Sequence, residues 1–256
     1  MRKAAATLTV TTLVLGIFGA FFRWLQNINA FEAETGLLKP FHGTTIVFLI
    51  YCVVAIAAIA VLSFGWMKRY AGERDVTALR STTPVPAVLG WVLGVGFVLA
   101  AVILLFTADF SANPMAQRLF GAAGIFGGLC FPFLPGRLDG RVNSIGRTAA
   151  AVAVLFCCCW LIFCYYVNRA DPVIFSFAVE ILAIASTAVA FYYIAAFHYG
   201  AGQNGRALLA VQLASFFNVT ALFDSRRLAF TAMLLIAAAM TLMFEFLLVE
   251  NMRDKQ

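Results

Sequence analysis

The chain has 256 residues, of which 63% are hydrophobic and 12% charged, and its mean hydropathy is +0.93. Ordinary soluble domains carry about 25% charged residues, so a water-soluble globule is excluded for most of the length. The net charge of +6 sits in turns between apolar segments, not in one basic stripe, which excludes a nucleic-acid partner.

A helix rises about 1.5 Å per residue, so roughly 20 apolar residues cross a hydrocarbon core of about 30 Å. Eight stretches approach that length: 4–22, 44–66, 86–106, 116–134, 148–167, 173–198, 206–223 and 228–249. The pattern predicts an all-α, polytopic transmembrane bundle of eight spans in a single integral membrane domain. Of the 18 Lys and Arg residues, 12 fall at the chain ends or in the even-numbered connections. Arg and Lys collect on the cytoplasmic side of membrane proteins, so both termini are expected in the cytoplasm. Arg226 and Arg227 fall on the opposite side, and a re-entrant seventh segment is the alternative that would remove this conflict.

The first stretch ends Phe18-Gly19-Ala20-Phe21-Phe22-Arg23-Trp24. Cleavage of a signal peptide requires small residues there, so the segment reads as a retained helix. In the 23–43 connection, Glu32, Glu34, Thr35 and Gly36 alternate with Phe31, Leu37, Leu38 and Phe41, the composition of an amphipathic helix lying on the outer surface. Trp24 and Trp66 stand at opposite span ends beside Arg23 and Lys68, where indole favours the headgroup level.

In the third and fourth spans, Gly90 and Gly94, and Gly124 and Gly128, are four residues apart, with Gly121 and Gly127 nearby. Small residues at this spacing let helices approach closely in lipid. They predict tight packing within the chain, the alternative being a homodimer face or a docking surface for a membrane-protein partner.

Cys157, Cys158 and Cys159 are consecutive in the fifth span, so their side chains point about 100° apart and do not converge on a metal. His42 and His198 fall at opposite ends of their spans, about a bilayer apart, which rules out one haem held by both. Gly200-Ala201-Gly202-Gln203-Asn204-Gly205 matches a dinucleotide fingerprint in letters only, because spans and not a βαβ unit flank it. Asp139-Gly140-Arg141 lacks the further aspartates that membrane phosphotransfer needs. No metal site or cofactor is expected, and an enzyme is the reading with least support.

The anomaly is Glu180, seven residues into the sixth predicted span. An ionised carboxylate in lipid costs at least ~2.5 kcal/mol, so the residue should face the interior. Ser176, Glu180 and Thr187 share a face of that span, and Gln212, Ser215 and Asn218 recur at three-residue steps on the next. Antiparallel packing would bring Ser215 and Asn218 to the depth of Glu180, with Trp160 at a similar level. This cluster is either a structural lock or an outward-facing site for a small solute or proton, with Arg23, Asp109, Gln117 and Arg118 at its mouth. Glu245, near the inner end of the last span, reads as solvated or in contact with His198.

Phe31-Glu32-Ala33-Glu34-Thr35-Gly36, Trp160, Asp171-Pro172, Glu180-Ile181-Leu182 and Tyr192-Tyr193 resemble a group of multi-pass bacterial membrane proteins with no assigned activity. The resemblance covers most of the chain and implies a bacterial cytoplasmic membrane, but no functional residue. Arg2-Lys3-Ala4-Ala5-Ala6 and Arg147-Thr148-Ala149-Ala150-Ala151 also invite comparison as the starts of two four-span halves.

Overall fold

A computed structural model describes residues 1–32, 37–39, 41–81, 83–110, 113–136, 144–169, 173–224 and 227–254. Ala33, Glu34, Thr35, Gly36, Asp139, Gly140, Arg141, Asp171, Pro172 and Arg226, named above, lie outside the described residues. The described residues form eight α-helices: α1 (Arg2–Asn29), α2 (Gly43–Arg69), α3 (Val85–Phe106), α4 (Pro114–Cys130), α5 (Ser144–Asn168), α6 (Ala178–His198), α7 (Asn204–Ala221) and α8 (Leu228–Glu250). Six of them, all but α4 and α7, are long and apolar enough to cross a membrane. The chain is a multi-pass membrane protein with an all-α helical bundle.

The two exceptions have different causes. Helix α4 has 17 residues, about 25 Å, and stops where Pro132 turns the chain into a 3-10 segment at Phe131–Phe133. Helix α7 carries Gln212, Ser215, Asn218 and Thr220, all buried, which lowers its apolarity. It tolerates them because α1, α2, α6 and α8 enclose it, so lipid reaches little of its surface.

The helices alternate in direction through all eight. At one end, a two-residue antiparallel ladder joins Tyr70–Ala71 (β1) to Arg253–Asp254 (β2). At that same end Arg2 pairs with Glu250 at 3.9 Å, and Asn204 donates to the Glu73 carbonyl at 2.7 Å. At the other end Asn27 donates to the Phe223 carbonyl at 3.1 Å. Helix α7 therefore begins beside Glu73 and ends beside α1's far turn, a full traverse and not a re-entrant loop. Both termini lie at one end of the bundle.

Two boundaries differ from the sequence reading. Phe31 and Leu38 bridge antiparallel, with Glu32 N donating to Leu37 O and Lys39 N to Ala30 O, so the described residues of this connection are paired and not helical. The sixth span was expected from residue 173, but α6 starts at Ala178 after a 3-10 turn at Ile174–Ser176. The turn is held from outside the segment: the carbonyls of Phe175 and Ser176 accept from the Arg23 guanidinium.

The glycine faces are used inside the chain. A Cβ placed on Gly94 would lie 2.8 Å from the Gly128 carbonyl, and one on Gly128 would lie 3.0 Å from the Val98 nitrogen. Gly121 and Gly124 sit as closely against Ala101. Helices α3 and α4 thus touch backbone to backbone, as the spacing predicted. Gly16 and Gly19 let α1 approach α7 at Val219 and Thr220 in the same way.

Candidate functional site

Buried polar side chains run along α7 from its middle to the end of the bundle opposite the termini. From Gln212 to Asp224 is twelve residues, roughly 18 Å of helix axis. Each station on this column joins α7, or the turn that follows it, to a different set of neighbours.

The first station lies toward the end that holds the termini. Glu245 of α8 is fully buried, at 0% exposure. Its Oε1 accepts from Thr12 Oγ1 of α1 at 2.8 Å and from Gln212 Nε2 at 2.9 Å. Ser63 of α2 donates to Gln212 Oε1, so four helices meet at one amide and one carboxyl group. Glu245 Oε2 is also buried and has no hydrogen-bond partner among the described residues. Below this junction, Leu8, Leu208, Val249 and Met252 form an apolar layer packed by Trp66 and Tyr70, whose rings stack at 4.7 Å. Neither a solvated position nor a His198 contact describes Glu245. Its place four residues from the expected span end at 249 suggested the interface, but α1, α2 and α7 cover it.

Higher on α7, Ser215 donates to Thr241 Oγ1 of α8 at 2.8 Å. Asn218 Nδ2 donates to Thr187 Oγ1 of α6 at 2.6 Å and to the Ala214 carbonyl at 2.8 Å. Asn218 Oδ1 is buried without a partner among the described residues. Of the expected cluster, Asn218 and Thr187 are brought together, whereas Ser215 turns to α8 and Gln212 to the Glu245 junction.

At the far end stands Arg23, 1% exposed. Its Nε donates to Asp224 Oδ1 at 2.6 Å, one terminal nitrogen donates to Gln26 Oε1 at 2.7 Å, and the other donates to the Phe175 and Ser176 carbonyls at 2.9 and 3.3 Å. Gln26 in turn donates to Thr45 Oγ1 of α2 at 3.3 Å. A planar fork of five donors suits such a junction, and the Phe48 ring lies 5.8 Å from the guanidinium carbon. Arg23 was read as lining an open mouth; it is instead a buried cation that fastens α1, the 174–176 turn and the α7–α8 connection. An arginine one residue before Trp24 looks interfacial in sequence, and only Asp224, 201 positions away, reveals the difference.

Glu180 sits in the first turn of α6 and is buried, within one turn of the Ser176 carbonyl that Arg23 engages. The later start of α6 places it near the helix end, not seven residues deep. The other expected mouth residues are separate from the Arg23 junction. Asp109 and Arg118 form an exposed ion pair at 2.6 Å, and buried Gln117 donates to the Leu104 carbonyl and accepts from Arg227. Trp160 belongs to a different environment, among Phe97, Phe120 and Phe156 with ring centroids about 6 Å away.

Of the cysteine triplet, Cys157 is buried while Cys158 and Cys159 face outward. His198 is buried beside the Leu134 carbonyl at 3.0 Å, and His42 caps α2 at the opposite end through Thr44. No group of three or more His, Cys, Asp or Glu side chains converges among the described residues. The 200–206 turn borders a cavity of about 510 Å³ together with Met67, Gly72 and Arg74.

Sequence reasoning missed Thr12, Ser63, Thr241 and Asp224, and undervalued Glu245. Thr12 and Ser63 are single hydroxyls in apolar helices, a signal too common to select. Glu245 and Gln212 were both visible as polar residues at membrane depth; pairing them needed the knowledge that α7 and α8 pack face to face.

Comparison with family models, with curated proteins and with solved structures returned no match.

Proposed function

We propose that this chain is a multi-pass protein of a bacterial cytoplasmic membrane, with both termini in the cytoplasm, that binds and moves an ion or small solute along the polar column of α7. The observation that carries the reading is the inversion of polarity in the bundle. The central helix is among the least apolar, and Gln212, Ser215, Asn218 and Thr220 on it are all buried, each with a hydrogen bond. Intramembrane polar and ionisable residues that face a bundle interior mark ion and proton pathways as a default. The acids at the two ends of the column, Glu245 and Asp224 with Glu180 nearby, give such a path ionisable side chains at both ends. The orientation follows from the excess of Lys and Arg at the end holding both termini.

A scaffold that docks a partner through small-residue faces is the second reading. It loses its surface, because Gly94, Gly121, Gly124 and Gly128 are already covered within the chain.

The test is flux in proteoliposomes. Purified full-length protein is reconstituted into liposomes that entrap a dye responsive to protons, Na⁺ or K⁺, and the matching inward gradient is imposed in each case. Faster entry of at least one ion than in protein-free liposomes, slowed by Gln212→Leu, supports the proposal. Entry no faster than in protein-free liposomes for all three overturns its ion branch.

A further inference from the structure

We infer that Glu245 is a proton-binding site, and that the proton is the ion handled at the Thr12–Ser63–Gln212–Glu245 junction; this rests on the reading of the α7 column as an ion path. The geometry separates the two carboxyl oxygens. Oε1 accepts two hydrogen bonds, from Thr12 and Gln212, which is the role of a carbonyl oxygen. Oε2 is enclosed and has no partner among the described residues, which is where a hydroxyl proton belongs. Left ionised, the carboxylate would hold its charge in a buried interior with two neutral donors on one oxygen and none on the other; a neutral O–H there is far less costly.

The charged surroundings agree. The side chains that hydrogen-bond around Glu245, from α1, α2 and α7, are Thr12, Ser63 and Gln212, all uncharged. Helix α3 carries no titratable side chain, and the 76–79 turn carries none. On α6, His198 is engaged with Leu134, Glu180 is at the opposite end, and Tyr192 and Tyr193 meet edge to face. On α1 and α2 at this end, Arg2, Lys3, Lys68 and Arg69 are exposed, as is Arg206 of α7, while Glu250 of α8 pairs with Arg2. The bundle neutralises Asp224 with a buried arginine, yet it gives Glu245 two neutral donors.

A metal ion fits less well. Calcium and magnesium take six or more oxygens, usually with more than one carboxylate. Here one carboxylate is present, and Gln212 Oε1 already accepts from Ser63.

The experiment is infrared spectroscopy of the full chain in lipid nanodiscs, with ¹³C-labelled glutamate and pH stepped from 5 to 9. A protonated-carboxyl C=O band that persists at pH 7 in the wild type and is missing in Glu245→Gln supports the assignment. A Glu245→Gln spectrum that loses no such band overturns it. Should that variant not fold, Thr12→Val removes one donor from the carbonyl oxygen and leaves the acid. The band then shifts to higher frequency, and an unshifted band overturns the assignment. The two readings fail separately: ion flux without the band refutes the proton site alone, and the band without flux of any ion refutes the transport reading alone.

Discussion

Arg23 and Asp224 lie 201 residues apart in sequence and 2.6 Å apart in the bundle, both side chains essentially sealed from solvent. The pair closes the end of the bundle opposite the termini, and its cation also takes two backbone carbonyls and a glutamine oxygen. Removing one partner of a buried ion pair strands the other and costs about 3–5 kcal/mol. Arg23→Ala and Asp224→Ala are therefore each expected to lower stability by that order. Arg23→Lys should recover little, because an ammonium cannot reach four acceptors with the geometry of a planar fork. Thermal unfolding in detergent checks this, and recovery by lysine to within a degree of wild type would contradict it.

The sidedness of the bundle gives a labelling pattern. Single cysteines introduced at Arg74 and Asn251 share one end, while those at Asn27 and Arg169 share the other. On intact cells, a membrane-impermeant maleimide should label positions 27 and 169 and spare 74 and 251 until the membrane is opened. Labelling of position 251 from outside would reverse the proposed orientation; different behaviour of 74 and 251 would contradict the fold itself.

The sequence made the helices legible, because length and apolarity are local properties. It made the α3–α4 contact legible too, because Gly94 and Gly128 act through their own missing Cβ atoms. The polar interior was only half legible. Helical spacing brought Asn218 toward α6, but it was expected at the depth of Glu180, and its partner is Thr187, two turns further along; the start of α6 was hidden as well. That start is set by Arg23 taking the Phe175 and Ser176 carbonyls, a contact formed across 152 and 153 positions. Glu245 was hidden for a similar reason, since its depth came from the helices that cover it and not from its place along α8.

Gly94 and Gly65 offer a controlled comparison within helices. A Cβ on Gly94 meets the Gly128 carbonyl at 2.8 Å, whereas one on Gly65 meets nothing within 4 Å. Gly94→Ala should force α3 and α4 apart and cost about 1–3 kcal/mol. Gly65→Ala should be neutral or stabilising by about 0.5–1 kcal/mol, since alanine loses less freedom in a helix. Equal unfolding temperatures for the two variants would mean that α3 and α4 do not touch as described.

The tryptophans report depth and enclosure. Trp24 is 43% exposed on α1 near the end opposite the termini, and Trp66 stacks on Tyr70 at the termini's end. Trp160 is only 2% exposed, within the phenylalanine cluster. Single-tryptophan variants should show headgroup-level quenchers reaching Trp24 strongly and Trp66 less. Quenchers at any lipid depth should scarcely reach Trp160. Quenching of Trp160 as strong as that of Trp24 would contradict the rotation of α5.

Gln212 and Glu245 allow a test of whether their junction is kept for stability or for function. Gln212→Leu removes a donor from Glu245 Oε1 and leaves the Ser63 hydroxyl without its acceptor, so a loss of about 1–3 kcal/mol is expected. Glu245→Leu leaves Gln212 Nε2 only the long contact to Thr12 Oγ1 at 3.5 Å and should cost a similar amount. Changing both to leucine removes the two groups that most need each other. Apolar replacement of both partners is often nearly neutral, so the double variant should lose less than the two single losses combined. A junction kept for stability alone predicts that this repacked protein behaves like the wild type in every assay. A junction kept for ion handling predicts a bundle of near-native unfolding temperature that no longer accelerates ion entry into liposomes. Additive losses in the double variant would show that Gln212 and Glu245 do not act on one another.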